Sequence, residues 1–512
     1  MNNPRAKNSL NVVGWVVVHL ALTLPLAYLL NIWADEASTL HTTQHGFFVA
    51  FQNAAADEKQ APLYFWVLSL WRSLNDSIFF ARLFSVICSA VAIKVFAGLA
   101  QRFFEPRAAL LVTAFFAVHP FLIWASLEIR VYSLVILLSV WLIRLFFEAF
   151  PDADQTAFKT PNRFAKVWFF YAATIGLYTN YYLGFLLVGF FAVLLVTRRW
   201  SQIRSYVGIM IIVAIAFAPL IIAVWSQFVV NTSGFQEERS LLDGLRHLWN
   251  RGITFILPSE IIPGEQASTF SVVRGWVVRV AVLVFSVFAI RYRKVLSLRT
   301  SQFGVMTAVI CVFLFLAYLA VGPTYIAIRH ASVLFAPLIL FVASIVSDVF
   351  KEKSETTVRN TTFAVGLTVL ISFSYSLITL YPNTTKRGDW ERVGAFIEQN
   401  ESPGQPIIVF TVFDALALPY HYHGVNKILP NERFFEFEPE AAIGSADSLK
   451  GQTDFAISEI PPDAQHIWLA VNEKCLITEA CVPLENFVHS NYTIEIEKEF
   501  YLEKLFLLKK KQ

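Results

Sequence analysis

Chemistry in this chain is concentrated in a few polar residues set among long apolar runs. Asp35 and Glu36 follow the apolar stretch 12–30, in the string Trp33-Ala34-Asp35-Glu36. A carboxylate there can take a proton from an attacking hydroxyl or amine, although two acids alone read more simply as a solvated helix end. Lys59, in Asp57-Glu58-Lys59-Gln60-Ala61-Pro62-Leu63-Tyr64, is a phosphate contact or an interfacial lysine whose stem lies along apolar surface. Glu128, Arg130 and Tyr132 follow one another in Leu127-Glu128-Ile129-Arg130-Val131-Tyr132. The planar fork of an arginine suits phosphate, and a structural Glu128–Arg130 pair is the other reading. In Tyr178-Thr179-Asn180-Tyr181-Tyr182 an interfacial aromatic belt accounts for the tyrosines but not for Asn180. Tyr325, Arg329 and His330 precede a further apolar run. Acids and arginines of this kind would serve a transfer in which a carboxylate activates the acceptor and fixed cations stabilise an anionic leaving group.

The elements that must position these residues are membrane helices. Of 512 residues 56% are hydrophobic and 15% charged, and the mean hydropathy is +0.54. A soluble domain is nearer a quarter charged, so this is an integral membrane protein. Apolar runs able to cross a bilayer, which takes about 20 residues, fall near 12–30, 82–100, 108–124, 131–150, 166–180 and 182–197. They continue near 206–225, 273–290, 303–321, 329–349 and 361–380. The spacing predicts about eleven helices. The region 166–197 reads as two helices joined at Tyr178–Tyr182 or as one long helix. No small-residue cleavage site follows the first run, which is read as a retained helix. Basic residues such as Arg102, Arg107, Arg198, Arg199, Arg291 and Arg293 recur in alternate loops. With those loops cytoplasmic, Asp35, Glu36, Glu128, Arg130, Asn180 and Arg329 share the outer face around one cavity, together with the tail.

Two outer segments are long. In 35–80, Leu40, Phe47, Phe48 and Phe51 fall at helix-like spacing, and Pro62 opens a second short apolar piece. Both are expected as helices on the membrane surface. The loop 226–272 has the length of a lid or binding loop, or of a packed connector.

The expected domains are 1–381, the membrane part, and 382–512, a small soluble α/β domain. The latter holds 20 acidic against 12 basic residues, a net of −8, which leaves +11 for the rest. Asp389 is expected to cap a helix running to Asn400. Strands are expected at 406–410 and 466–471, a helix near 414–420, and a terminal hairpin from 492–498 and 501–508. Cys475 and Cys481 either close a short disulfide in an oxidising compartment or are free thiols. No phosphate-binding glycine loop is present, and no basic patch suggests nucleic acid.

The ordered motifs resemble those of the GT-C glycosyltransferases, in the group of the protein O-mannosyltransferases and the lipid A aminoarabinose transferases. They are W-x-D-E after the first helix, P-L-Y-x-W, E-x-R-x-Y, Y-T-x-Y-Y, R-H before an apolar helix, and D-W-x-x-x-x-x-F-I at Asp389 to Ile397 with Pro403-Gly404 after it. The resemblance covers roughly 10–410. It implies an all-α polytopic domain with outer-surface amphipathic helices and an inverting transfer of a sugar from a polyprenyl-phosphate donor. The acceptor would be a lipid, glycan or protein, and the setting a bacterial inner membrane with the tail periplasmic. It makes Asp35 the catalytic base, Glu36 its support or a sugar contact, and Arg130 a donor-phosphate contact with Glu128 and Tyr132 shaping the site. Arg329 is a second phosphate candidate beside Tyr325. Two departures stand out: Gln60-Ala61 where the family carries His or Lys before Pro, with Lys59 one position early, and Asn180 where relatives have His.

Polyprenyl phosphate is a good enough leaving group that no metal is demanded, and no His/Cys cluster has ligand spacing. A transporter or lipid-linked sugar flippase could use the same outer charges, but internal repeats and midplane breaks are not evident in the sequence. A surface-polysaccharide ligase or polymerase would share the donor on a different fold.

Overall fold

The computed structural model describes all residues except 1–3, 57–59, 153–163, 234–240, 257–268, 322–327, 352–354, 387, 411, 431–452 and 473–480. Lys59 and Tyr325 therefore lie outside the described residues. Each of the eleven apolar runs is helical: α1 (Pro4–Leu29), α5 (Ile78–Phe103), α6 (Pro106–Val118) with α7 (Pro120–Leu127), α8 (Tyr132–Ala149), α9 (Ala165–Thr179), α10 (Leu183–Val196), α11 (Trp200–Ser233), α13 (Thr269–Arg291), α14 (Leu298–Val321), α15 (Ser332–Phe350) and α16 (Glu355–Leu380). Among the described residues six helices are long and apolar enough to cross a membrane, or seven if the α6–α7 pair is one span.

The run 108–124 is not one helix. It bends by 45° between α6 and α7, because Pro120 has no N–H to continue the ladder. The His119 ring accepts the Phe121 N–H at 3.1 Å and caps α7. That leaves the Ala117 carbonyl without its helical donor. His19 of α1 supplies one, Nδ1 to Ala117 O at 2.8 Å, while its Nε2 meets Ser89 Oγ at 2.9 Å and Ser126 Oγ at 3.1 Å. A polar seam thus holds the break together in an otherwise apolar interior, as buried backbone groups require.

The segment after α1 forms three helices where two were expected: α2 (Ala34–Gln44), α3 (Phe47–Ala56) and α4 (Leu63–Arg72). Gly46 at φ +89° breaks the run, so Leu40 does not share a face with the phenylalanines. Leu40 is buried, while Phe47, Phe48 and Phe51 are exposed. Phe47 and Phe51 pack on Trp66 of α4, each 4.9 Å between ring centres. Within the loop 226–272, residues 241–256 form α12 (Leu241–Ile256), whose Gly244 sits against Tyr318 of α14.

The chain divides by compactness into two units. The first comprises Met1–Tyr28, Thr42–Pro258 and Val273–Leu377; the second comprises Leu29–His41, Ser259–Val272 and Ile378–Gln512. The second unit therefore holds Asp35 and Glu36 together with the tail. Its tail carries α17 (Trp390–Asn400) and strands β1 (Ile407–Phe410), β2 (Ile428–Leu429), β3 (His466–Asn472), β4 (Tyr492–Phe500) and β5 (Glu503–Lys510). They form one sheet in the order β2-β1-β3-β5-β4. β1 runs parallel to β2 and β3, and β5 is antiparallel to β3 and β4, so the expected terminal hairpin is present. β1 is buried along its whole length, as a strand covered on both faces must be. The expected helix near 414–420 is instead two short 3-10 turns.

Candidate active site

Asp35 and Glu36 occupy the first turn of α2. Trp33 O accepts the N–H groups of Glu36 and Ala37, both at 3.0 Å, and starts the helix. Acids in a first turn also complement the positive end of the helix dipole. The neighbours have different surroundings. Asp35 is half-buried, whereas Glu36 has no exposed surface.

What seals Glu36 is Lys386, whose ammonium donates to Glu36 Oε1 at 2.7 Å. Both side chains are essentially inaccessible, at 2% and 0% exposure. A buried carboxylate is tolerable only when paired and hydrogen-bonded. The pair joins residues 350 positions apart.

The segment carrying Lys386 is held by Asn31. Its side-chain oxygen accepts the Lys386 N–H at 2.6 Å and the Thr385 hydroxyl at 3.1 Å, and its amide nitrogen donates to Gly388 O. The path is possible because the backbone turns back on itself, with Asn383, Thr384 and Gly388 all at positive φ. Gly388 has no alternative: a Cβ there would sit 2.6 Å from the Trp390 indole nitrogen and 2.9 Å from Glu503 Oε1. Asp389 precedes α17, yet its carboxylate makes no cap bond. It accepts from Thr385 at 3.5 Å and from Arg392 at 2.9 Å, so it braces the loop in place of the expected cap. The Ile32 N–H donates to His421 Nε2 at 3.3 Å, which requires that nitrogen to be unprotonated. Next to His421, burial and the Glu401 carboxylate hold the Tyr422 phenol above its usual range.

The other described candidates lie in the first unit. Glu128, Arg130 and Tyr132 are buried in the link between α7 and α8. Ser85 of α5 donates to Glu128 O at 2.7 Å, Ser133 donates to Ala125 O at 2.7 Å, and Tyr132 stacks on Trp124 at 5.0 Å. One turn before Ser85, Arg82 is fully buried and reaches Ala27 O at 2.8 Å. The Ile78 end of α5 and the 128–132 link thus gather two arginines and an acid. Asn180 has a local explanation: its side chain accepts the Tyr182 N–H at 3.0 Å and turns the chain from α9 into α10. That turn makes 166–197 two helices. Tyr182 in turn lies 5.0 Å from the ring of His330, beside Arg329 in the short 3-10 turn Ile328–Ala331.

Lys386, Asn31 and Arg82 were missed by sequence reasoning. The signal for both cations was a basic residue near the end of an apolar run, the position that singled out Arg329. Asn31 carried no signal, since an amide at a helix exit is commonplace. Among the described residues no group of three or more His, Cys, Asp or Glu is placed to hold a metal ion.

Comparison with known proteins follows the same lines. The sequence pattern of the dolichyl-phosphate-mannose-protein mannosyltransferase family matches residues 59–225. ArnT from Cupriavidus metallidurans superposes in its apo state with a TM-score of 0.52 at 14% identity, over 97% of this chain and 98% of that one. The same protein bound to undecaprenyl phosphate gives 0.53 at 14% identity, over 97% of each chain. The Archaeoglobus fulgidus oligosaccharyltransferase tethered to an acceptor peptide gives 0.51 at 11% identity, over 98% of this chain and 74% of that one. No curated protein sequence matches. These likenesses establish a shared fold, polytopic and helical with a small sheet-bearing tail.

Proposed function

We propose that this chain, which has the GT-C fold and bears the mannosyltransferase pattern over 59–225, is an inverting membrane glycosyltransferase. It would move a sugar from a polyprenyl-phosphate carrier to an acceptor at the outer face of the membrane. The observation that carries the reading is the first turn of α2. It presents a half-buried Asp35 directly after the first membrane helix, beside a Glu36 already committed to Lys386. A half-buried carboxylate at that position suits the base that takes the acceptor proton. Glu36 then acts as support, not as a second base.

Arg130 meets the donor phosphate in this reading, with Arg82 as a second cation and Glu128 and Tyr132 shaping its surroundings. Their charge would stabilise the phosphate as the glycosidic bond to it breaks. Lys59, Tyr325 and Arg329 remain candidates for the same task. Attack by the acceptor opposite the phosphate inverts the anomeric carbon. The proton goes to Asp35, and the electron pair leaves with the lipid phosphate. The tail belongs in an oxidising compartment on this reading, and the disulfide-bonded state of Cys481 supports that. The partner of Cys481 lies outside the described residues.

The test is a transfer assay in membranes containing the full chain, with a panel of polyprenyl-phosphate sugars and an extract of envelope acceptors. Release of polyprenyl phosphate with inverted product is expected for one donor class. Uncoupled movement of the lipid-linked sugar across the bilayer, without bond cleavage, would overturn the reading in favour of a flippase.

A further inference from the structure

His19 is fully buried within α1 and has no part in the proposed transfer. The Ala117 carbonyl can only accept, so His19 Nδ1 carries the hydrogen of the neutral ring and donates it at 2.8 Å, and Nε2 keeps a lone pair. Two hydroxyls meet that lone pair: Ser89 Oγ of α5 at 2.9 Å and Ser126 Oγ of α7 at 3.1 Å. Each serine also reaches a carbonyl of its own helix, Val86 O at 2.8 Å and Leu122 O at 2.6 Å, so either can turn its single hydrogen to the ring.

The placing of these partners gives the ring its role. Ala117 stands before the break at His119–Pro120 and Ser126 after it, so one ring nitrogen holds each side of the 45° bend. In a straight helix the two residues would be about 2.5 turns apart and on opposite faces, beyond the reach of one imidazole. The eight residues of α7 make a helix with little stability of its own, and Pro120 cuts it off from the hydrogen-bond ladder of α6. Its direction is therefore set from outside. The last turn of α7, which holds Ser126, runs into Glu128, and two residues on stands Arg130. Ser85, one turn from Ser89 on α5, donates to Glu128 O at 2.7 Å and so anchors the same end. We propose that His19 is a positioning residue for the link Glu128–Val131: by clamping both sides of the bend it sets the direction in which α7 delivers Arg130. The inference rests on the reading of Arg130 as a donor-phosphate contact, and His19 need never touch the donor.

The experiment uses the purified full chain in lipid nanodiscs, with undecaprenyl phosphate as the probe. Two quantities are read: amide hydrogen exchange over residues 128–131, by peptide mass spectrometry, and the Kd of the probe. His19→Asn puts an amide nitrogen where Nδ1 stood, so it keeps the Ala117 bond and gives up the serines. It should speed exchange in the link about fivefold, the scale of one lost hydrogen bond, and weaken the probe by a similar factor. His19→Gln, whose amide reaches toward the Nε2 position, should leave both near their wild-type values. Ser126→Ala should reproduce His19→Asn and serves if that variant does not fold. Unchanged exchange in His19→Asn and Ser126→Ala overturns the proposal, as does an equal rise in His19→Gln, which would mean lost packing only. Arg130→Gln checks the reading beneath it. Faster exchange in His19→Asn, with probe affinity unchanged in every variant including Arg130→Gln, keeps His19 as the clamp and removes Arg130 from the phosphate. Lost affinity in Arg130→Gln, with exchange unmoved in His19→Asn and Ser126→Ala, does the reverse.

Discussion

Among the described residues, Asp348 and Glu36 are buried acids that each meet a lysine, and they use it differently. Asp348 at the end of α15 accepts the Ser297 N–H at 2.7 Å and the Thr300 hydroxyl at 2.6 Å, seating the start of α14. Its lysine, Lys351, is only three residues away, lies at 3.2 Å and is 57% exposed. Glu36 has Lys386 across 350 residues, with neither group exposed. At Asp348 the hydrogen bonds to α14 hold the carboxylate and the lysine is an accessory. At Glu36 the lysine is buried with the carboxylate and supplies its matching charge. A carboxylate beside a lysine therefore makes a helix seat in one unit and a long-range tie in the other.

The comparison is tested most severely at Asp35, the neighbour of Glu36 in the same first turn. Asp35→Asn is expected to lower sugar transfer by about 10²–10⁴-fold, the range of a lost general base, with the melting temperature unchanged. Normal turnover would return Asp35-Glu36 to a plain helix end. Next comes Lys386→Met, expected to cost about 3–5 kcal/mol of stability, as for breaking one side of a buried pair. Thermal melting of the full chain would read it, with Glu36→Leu/Lys386→Leu recovering part of the loss. A cost as small as that of an exposed pair would make the two lysines equivalent. Asp348→Ala should cost about 1 kcal/mol, the usual value of a lost helix cap, measured as the same melting shift. Lys351→Ala should change stability by less than about 1 kcal/mol, as exposed pairs do. A loss equal to that of Asp348→Ala would show that the lysine, not the cap, holds that carboxylate.

The helices were legible because apolar runs of spanning length have few other solutions. The strands at Ile407–Phe410 and His466–Asn472 were legible because short buried strands read as unbroken apolar stretches. Hydropathy did not reveal the bend at His119, since the cost of Pro120 was met by a ring nitrogen that no local pattern announces. Gly46 was passed over within an otherwise periodic run, and α2 and α3 were merged as a result. Among the candidate residues, Asp35, Glu36, Glu128 and Arg130 stood out as charges at the ends of apolar runs. Lys386 did not, because its meaning depends on a partner 350 residues earlier. Asn180 stood out as the residue an aromatic belt did not explain, and its side chain shapes a turn, which an amide does as readily as it binds a ligand.

The Asn31–Lys386 tie also has a consequence in time. Chains emerge from the ribosome at about 5–20 residues per second, so roughly 20–70 s separate Glu36 from the lysine that matches it. During that interval Glu36 lacks the ammonium with which it pairs in the folded chain. The turn reaches its final form only once the tail has been made and folded back upon it. A fragment ending before Lys386 would carry Asp35 and Glu36, yet lack the ammonium that Glu36 binds.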